Sequence, residues 1–555
     1  MRSALGRFRT LLPSRRDYRD LRTSWRMDLV AGVTVGVVAL PLALAFGVSS
    51  GAGAESGLIT AMVAGIVAAV FGGSNVQVSG PTGAMVVVLG PIIATRGVGV
   101  LAILCVLAGV LVVVAGVLRL GRAVTYIPWP VIEGFTLGIA VIIFLQQVPA
   151  AVGSKPGPSS NAFLAAVESF STATWATALW SLLIVAVVAV IMVGAPRLHR
   201  QLPGSIVAIV LVSVVSSVAH LPVPTIGSLP NSLPAPQVPT VDPTVVVSLL
   251  GPAFTIAALA AIESLLSARV ASSISDTGPY DADRELVGQG LASIASGFFG
   301  GMPATGAIAR TAVNVRSGGR TRLAAIIHGL VLVLIVYTAS TVVAEIPLAA
   351  LSGVLMVTAT RMISIATVRT IVGSTRSDAI VFGVTALITV SVDLIYAVGI
   401  GIAVAAFFAL RALASASGVH REELPGPAHA EDEHIALFRL DGALFFGAAE
   451  RVLTRVGAIR NVTVVILRMS QLQILDATGA QVITELVTTL ERRGITVLVK
   501  GIQARHLQLA TRVGIISALR HENHLFDTLD DAVEHARSHV AREGDTTPTA
   551  DGDRG

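Results

Sequence analysis

Apolar runs of about 20 residues recur from about Met27 to about Leu413. A helix of that length covers the roughly 30 Å hydrocarbon layer of a bilayer. In lipid every backbone N–H and C=O must be satisfied within the spanning structure, so such runs fold as helices. Only 13% of the residues are charged and 53% are hydrophobic. Soluble proteins carry roughly 25% charge, so a soluble protein with a large core is excluded. This is a polytopic α-helical membrane protein.

The spacing predicts fourteen spans, at 28–48, 57–72, 82–95, 98–118, 131–148, 176–194, 204–221, 252–273, 285–300, 306–315, 323–344, 347–360, 378–395 and 397–413. If the Arg-rich start of the chain is cytoplasmic, Arg119, Arg122, Arg197, Arg200, Arg269, Arg284, Arg316, Arg320, Arg322, Arg361, Arg369, Arg376 and Arg411 all fall inside. Only Arg96 and Lys155 fall in outside loops, as the positive-inside rule requires. The net charge of +5 therefore reads as topology, not as a nucleic-acid surface. A cleaved signal peptide ending near Ala43–Ala45 would remove the first span and unbalance the bundle. The proline-rich loop 221–249 separates seven spans from seven. An odd number per half inverts the second half relative to the first, and inverted repeats place a site at the bilayer midplane.

Two stretches interrupt this pattern. Phe71–Gly–Gly runs on to Pro81–Thr82–Gly83–Ala84, and Phe299–Gly–Gly runs on to Pro303–Ala304–Thr305–Gly306–Ala307. They fall at the third and tenth spans, which correspond under an inverted repeat. Glycine and proline are poor residues for a helix interior. A helix broken at membrane depth offers free N–H groups and a positive dipole end, and two such ends can face one anion.

After Arg411 the character changes. Residues 415–432 read as a polar linker, and 433–540 as a soluble α/β domain with strands at Ile435–Leu440, Val462–Leu467 and Ile495–Val499. Helices are expected at Ala480–Leu490 and Leu507–Val513, and 541–555 as a disordered tail. Residues 1–26 form the cytoplasmic N-terminal segment and 27–414 the transmembrane domain. Cys105, the single cysteine, lies in an apolar run and is expected to pack there.

Several separate motifs, in order, carry a resemblance. Leu40–Pro41–Leu–Ala–Leu–Ala–Phe46–Gly47, Ser79–Gly80–Pro81–Thr82–Gly83–Ala84, Arg284–Glu285–Leu–Val–Gly288–Gln289–Gly290 and Gly306–Ala–Ile–Ala–Arg310–Thr–Ala–Val–Asn314 resemble the SulP anion transporters, bacterial relatives of prestin. Phe445–Phe446–Gly447–Ala–Ala–Glu450 and Asp476–Ala–Thr478–Gly479 resemble the STAS domain that closes such proteins. The resemblance implies a seven-plus-seven inverted repeat with core and gate domains, a homodimer, and an inner-membrane location with both termini cytoplasmic. It implies secondary anion transport of the sulfate, bicarbonate or dicarboxylate class by an elevator-like movement.

On that basis the anion is expected against Phe46, Thr82, Gly83, Ala84, Ala304, Thr305, Gly306, Ala307 and Arg310. A guanidinium inside a membrane is costly, and a functional role is its default reading. Glu263 in the eighth span is the expected coupling group, with Ser267 one turn later; the coupling ion is read as H+, alternatively Na+. An ion pair between Glu263 and Arg310 is expected. Glu133 and Asp393 read as structural residues of the gate and of an interface, and His328 as a hydrogen-bonded packing residue. Thr478 stands where small STAS regulators are phosphorylated, or else is a helix cap. There is no zinc-ligand spacing, Walker loop or nucleophile elbow to support an enzyme or a cofactor. A passive channel and a membrane-tethered STAS sensor are the competing functions.

Overall fold

The helices begin and end where local chemistry requires. A computed structural model describes residues 11–544 apart from 19, 155, 156, 158, 160, 199–202, 228, 230, 231, 240–242, 392, 393, 417, 445–455 and 457–460. Asp393, Lys155, Arg200, the Phe445–Glu450 motif and the tail beyond Gly544 lie outside the described residues. The chain divides into two units, Met1–Ile402 and Ala403–Gly555.

The first unit is helical. Its helices are α1 (Leu21–Ser49), α2 (Ala54–Phe71), α3 (Gly83–Arg96), α4 (Val98–Val117), α5 (Trp129–Ala151), α6 (Ala162–Thr172), α7 (Trp175–Leu198), α8 (Gly204–Val218) and α9 (Pro243–Ile274). They continue as α10 (Ala282–Phe298), α11 (Ile308–Arg316), α12 (Arg322–Ala344), α13 (Leu348–Met362), α14 (Ile365–Ser374) and α15 (Arg376–Ser391). The last, α16 (Leu394–Ala416), runs from the first unit into the second. Among the described residues, nine helical stretches are long and apolar enough to cross a membrane.

Three differences from the sequence reading have local causes. The loop expected to run to Leu249 ends at Pro243, which starts α9; proline fits a first helical turn, where its missing N–H costs nothing. That loop is tied down by hydrogen bonds from Ile226 and Gly227 N–H to Ile346 and Ala344 carbonyls. Helices α6 and α14 lie in stretches read as loops. Each starts at a side-chain cap: Asn161 accepts from Phe163 and Leu164 N–H, and Ser364 accepts from Thr367 N–H.

Both Phe-Gly-Gly stretches leave the helix. Ser79–Gly80 (β1) and Thr305–Gly306 (β2) pair as a short antiparallel ladder, with Ser79 opposite Gly306 and Gly80 opposite Thr305. Strand backbone survives at membrane depth only when another backbone satisfies it, and each strand here does that for the other. Helices α3 and α11 then start just beyond the ladder. At about 1.5 Å per residue, α11's 9 residues cover only about 14 Å, so α11 is a half-helix.

The glycines have contact reasons. A Cβ at Gly73 would lie 1.9 Å from the Asp281 carbonyl oxygen, and one at Gly288 would lie 2.4 Å from Gly72 Cα, so α10 packs directly on the first break. Glu285 of α10 then reaches the freed backbone: its carboxylate accepts from Gly73 N–H at 2.8 Å, Ser74 N–H at 3.0 Å and Gln289 Nε2 at 2.9 Å. The second break is held by hydroxyls. Thr60 Oγ accepts from Met302 N–H at 2.7 Å, Ser296 Oγ donates to Met302 O at 2.7 Å, and Ser293 Oγ accepts from Ala304 N–H at 3.2 Å. Thr60 opens a π-helical turn, Thr60–Ala64, inside α2. Cys105 is fully buried, and its Sγ lies 3.4 Å from the Gly301 carbonyl oxygen.

The second unit is α/β. Strands β3 (Gly418–Glu422), β4 (Ile435–Leu444), β5 (Val464–Leu475), β6 (Thr496–Lys500) and β7 (Leu525–Phe526) form one sheet in that order. Only β3–β4 is antiparallel. Helices α17 (Ala477–Arg492), α18 (Ala504–Val513) and α19 (Leu529–Gly544) complete it. Residues read as linker contain β3, whose ladder with β4 is reinforced by Glu422, held between Arg439 at 2.6 Å and Arg468 at 3.0 Å. One α19 residue, Arg537, forks onto Asp432, and that hydrogen bond holds the Asp432 carboxyl below its ordinary range.

Candidate anion-binding site

The ladder brings two helix N-termini together at a buried point. At α3 the cap position is Thr82, whose hydroxyl does not cap the helix. It donates instead to Glu263 Oε2 at 2.8 Å. The amides of Gly83 and Ala84, in the first turn, therefore have no helical acceptor. Phe46 is buried beside them: a Cβ at Gly83 would lie 2.1 Å from Ile143 Cδ1 and 3.6 Å from Phe46 Cε1.

The second terminus starts later than the sequence reading places it. Thr305 and Gly306 lie in β2, and Ala307 is the cap of α11. Three of the expected donors are already engaged: Ala304 N–H with Ser293 Oγ, Gly306 N–H with Ser264 Oγ at 3.0 Å, and Ala307 N–H with Val78 O at 2.9 Å. The open first-turn amides are those of Ile308, Ala309 and Arg310. Ile308 and Ala309 are exposed, whereas residues 301–307 are buried. Apolar periodicity cannot register an offset of two residues produced by strand pairing.

Arg310, the third residue of α11, turns back across the ladder. It is 2% exposed, its Nη2 donates to the Pro81 carbonyl, and its Nη1 is buried without a hydrogen-bond partner. A Cβ at Gly80 would strike that Nη1 at 2.5 Å, so glycine makes room for the guanidinium. The expected Glu263–Arg310 ion pair does not form; the Glu263 carboxylate accepts from the Thr82 hydroxyl instead. The guanidinium bonds the Pro81 carbonyl through Nη2 and leaves Nη1 free.

Ser267, fully buried one turn along α9 from Glu263, lies 3.3 Å from Thr311 Oγ1, which also accepts from Val78 N–H. Glu133 of α5 has a partner, Trp129 Nε1 at 3.1 Å. His328 is buried, and neither ring nitrogen makes a hydrogen bond of ordinary geometry, contrary to expectation. In the second unit Asp476, not Thr478, caps α17, accepting from Gly479 N–H at 2.7 Å and leaving Thr478 exposed in the first turn.

Sequence reasoning passed over Gln77. Its amide is 6% exposed, both polar atoms lack partners, and it covers the Gly306 Cα face, where an added Cβ would meet Nε2 at 1.8 Å. The signal was its position: a glutamine two residues ahead of β1, inside an otherwise small and apolar break.

The chain thus combines a helical membrane unit, whose two broken helices meet through a backbone ladder, with a five-stranded α/β unit. The chain belongs to the sulfate permease family, which matches residues 25–385, and a STAS domain matches residues 427–532. It is 33% identical to YvdB of Bacillus subtilis over 91% of this chain and 97% of that protein. It is 30% identical to the bicarbonate transporter BicA of Synechocystis, over 85% of this chain and 88% of that one. Among solved structures, the transmembrane domain of a cyanobacterial BicA shares 33% identity, covers 69% of this chain and 98% of its own, and superposes with a TM-score of 0.61. The murine anion transporter Slc26a9, at 18% identity, shares the fold with a TM-score of 0.79 over 92% of this chain and 91% of its own.

Proposed function

We propose that this protein is a secondary transporter of a small oxyanion, sulfate or bicarbonate in class. The observation that carries the reading is Arg310 Nη1, a buried donor without a partner beside the uncapped first turns of α3 and α11. An unsatisfied buried donor is costly, and a bound oxyanion removes that cost while meeting helix dipoles. Phe46, Gly83, Ala84 and Gln77 line the same point, with the Ile308–Arg310 amides supplying the second terminus. The BicA resemblance favours bicarbonate, and the family resemblance favours sulfate.

Fourteen crossings in an inverted seven-plus-seven arrangement, a homodimer, cytoplasmic termini and an elevator-like movement complete the proposal. An impermeant label reacting from outside with a cysteine at Ala430 overturns the orientation.

Coupling rests on Glu263. Ionised, it repels an incoming anion; protonated, it leaves the Arg310 charge to the anion, so proton and anion favour each other's binding. At an effective dielectric near 20, one charge about 4–8 Å from the anion is worth roughly 2–4 kcal/mol. Uptake of labelled sulfate and bicarbonate into proteoliposomes, with and without an inward pH gradient, tests both points. Glu263→Gln protein is expected to bind and exchange anion but not to accumulate it on a pH gradient. Accumulation by that variant with pH as the only driving force removes the proton reading, and a strict sodium requirement in the unaltered protein transfers coupling to a cation held by Glu263 and Ser267. Failure to take up either anion removes the transport reading.

A further inference from the structure

The STAS unit contains a histidine cluster unconnected to the membrane site. His535 and His539 are spaced i and i+4 along α19, so they share one helix face. His524 comes up beside them from the residue before β7. The three rings lie 5.4 to 5.7 Å apart between centroids, and one ligand-capable nitrogen of each lies within 4.8 Å of the others. His524 is 2% exposed, and its Nδ1 and His535 Nε2 are buried without hydrogen-bond partners. A fourth imidazole, His521, meets His524 edge to face at 5.4 Å and is exposed.

Packing alone explains this poorly. Three polar rings occupy ground that aliphatic side chains fill elsewhere in the unit, and two buried nitrogens are left unpaired, which costs free energy. The neighbouring cations are engaged: Arg520 with Glu491 at 3.3 Å, and Arg542 with Ser538 at 3.0 Å. Three imidazoles converging on one point suit a borderline divalent ion. At a Zn–N distance of about 2.1 Å, tetrahedral ligands sit about 3.4 Å apart.

We propose that His524, His535 and His539 bind one divalent transition-metal ion of the zinc class, with water or His521 in the fourth position. The pair on α19 and the ligand before β7 would then clip the last helix to the sheet edge.

The test uses full-length protein purified without a polyhistidine tag and stripped with chelator. Titration with Co2+ is expected to give the visible ligand-field bands of a tetrahedral site, saturating at one equivalent, and Zn2+ is expected to displace it. His524→Gln and His539→Gln should each weaken Co2+ binding by more than the tenfold typical of outer-shell changes, while His220→Gln and His429→Gln leave it unchanged. Binding unaltered in the first pair, or lost equally in the second, overturns the site. A second measurement needs no variant: Zn2+ should protect His524, His535 and His539 of the unaltered protein from acylation by diethyl pyrocarbonate, read by mass spectrometry. Equal modification with and without Zn2+ also overturns it.

Discussion

The first broken helix and the second share a motif but divide the work. The first, from Phe71 to Ala84, is held open by one carboxyl group: Glu285 accepts from Gly73 and Ser74 N–H, and helix α3 begins immediately after Thr82. The second, from Phe299 to Arg310, is held by the neutral hydroxyls of Thr60, Ser293, Ser296 and Ser264. It spends its early amides on those groups and starts α11 two residues later. What the first break presents to the pocket is neutral backbone; what the second presents is a guanidinium. Similar sequences at matched positions have thus acquired opposite structural and electrostatic roles, and the residues around them decide which.

The largest expected effect separates the two supports. Glu285→Ala leaves buried donors at Gly73, Ser74 and Gln289 together, at a cost of about 3 kcal/mol or more. Thr60→Val removes one neutral acceptor, for about 1 kcal/mol. Thermal unfolding in detergent should rank Glu285→Ala far below Thr60→Val. Equal melting points would mean the breaks are held alike.

Next comes Arg310→Gln, which removes the buried charge while keeping a donor. Anion affinity should fall by about 2–4 kcal/mol, roughly 30- to 900-fold, with little change in melting temperature. Calorimetric titration with sulfate and bicarbonate checks it. An affinity unchanged in Arg310→Gln would take the guanidinium out of the site.

The glycines give a smaller, inverted contrast. A Cβ at Gly288 meets the Gly72 backbone at 2.4 Å, whereas one at Gly306 meets the end of the Gln77 side chain. Gly288→Ala should therefore cost stability, about 1–3 kcal/mol, and spare the affinity of the protein that remains folded. Gly306→Ala should displace Gln77 and shift anion affinity more than melting temperature. Gly399→Ala, with open space around its Cα, is the neutral reference for both.

The smallest effect concerns the hydroxyls around Glu263. Thr82→Val deletes its 2.8 Å hydrogen bond and should move the pH dependence of uptake with only about a twofold to tenfold change in anion affinity. An unchanged pH profile would detach Glu263 from coupling.

Much of this was legible early. Apolar runs of membrane length, and two Gly/Pro interruptions among them, announced helices and a paired break, because lipid permits no other backbone economy. Gly83 and Ala84 were named from the broken-helix pattern, Arg310 from its cost inside a membrane, and Phe46 from the family resemblance. The sequence did not disclose Gln77, or which amides of residues 304–307 are already bound, because those depend on Ser293, Ser264 and Val78 arriving from elsewhere in the chain. Helices α6 and α14 escaped notice because polar caps, not long apolar runs, start them.

The sequence by itself determined the solvent: the apolar runs commit the first unit to lipid and the β-branched runs commit the tail to a sheet. Tertiary structure decided the rest. It paired β1 with β2, turned Arg310 onto Pro81, and gathered His524, His535 and His539 from two segments. The physical reason is range: periodicity reports what each segment buries, whereas hydrogen-bond satisfaction at a break is settled only by the partners that folding brings within about 3 Å.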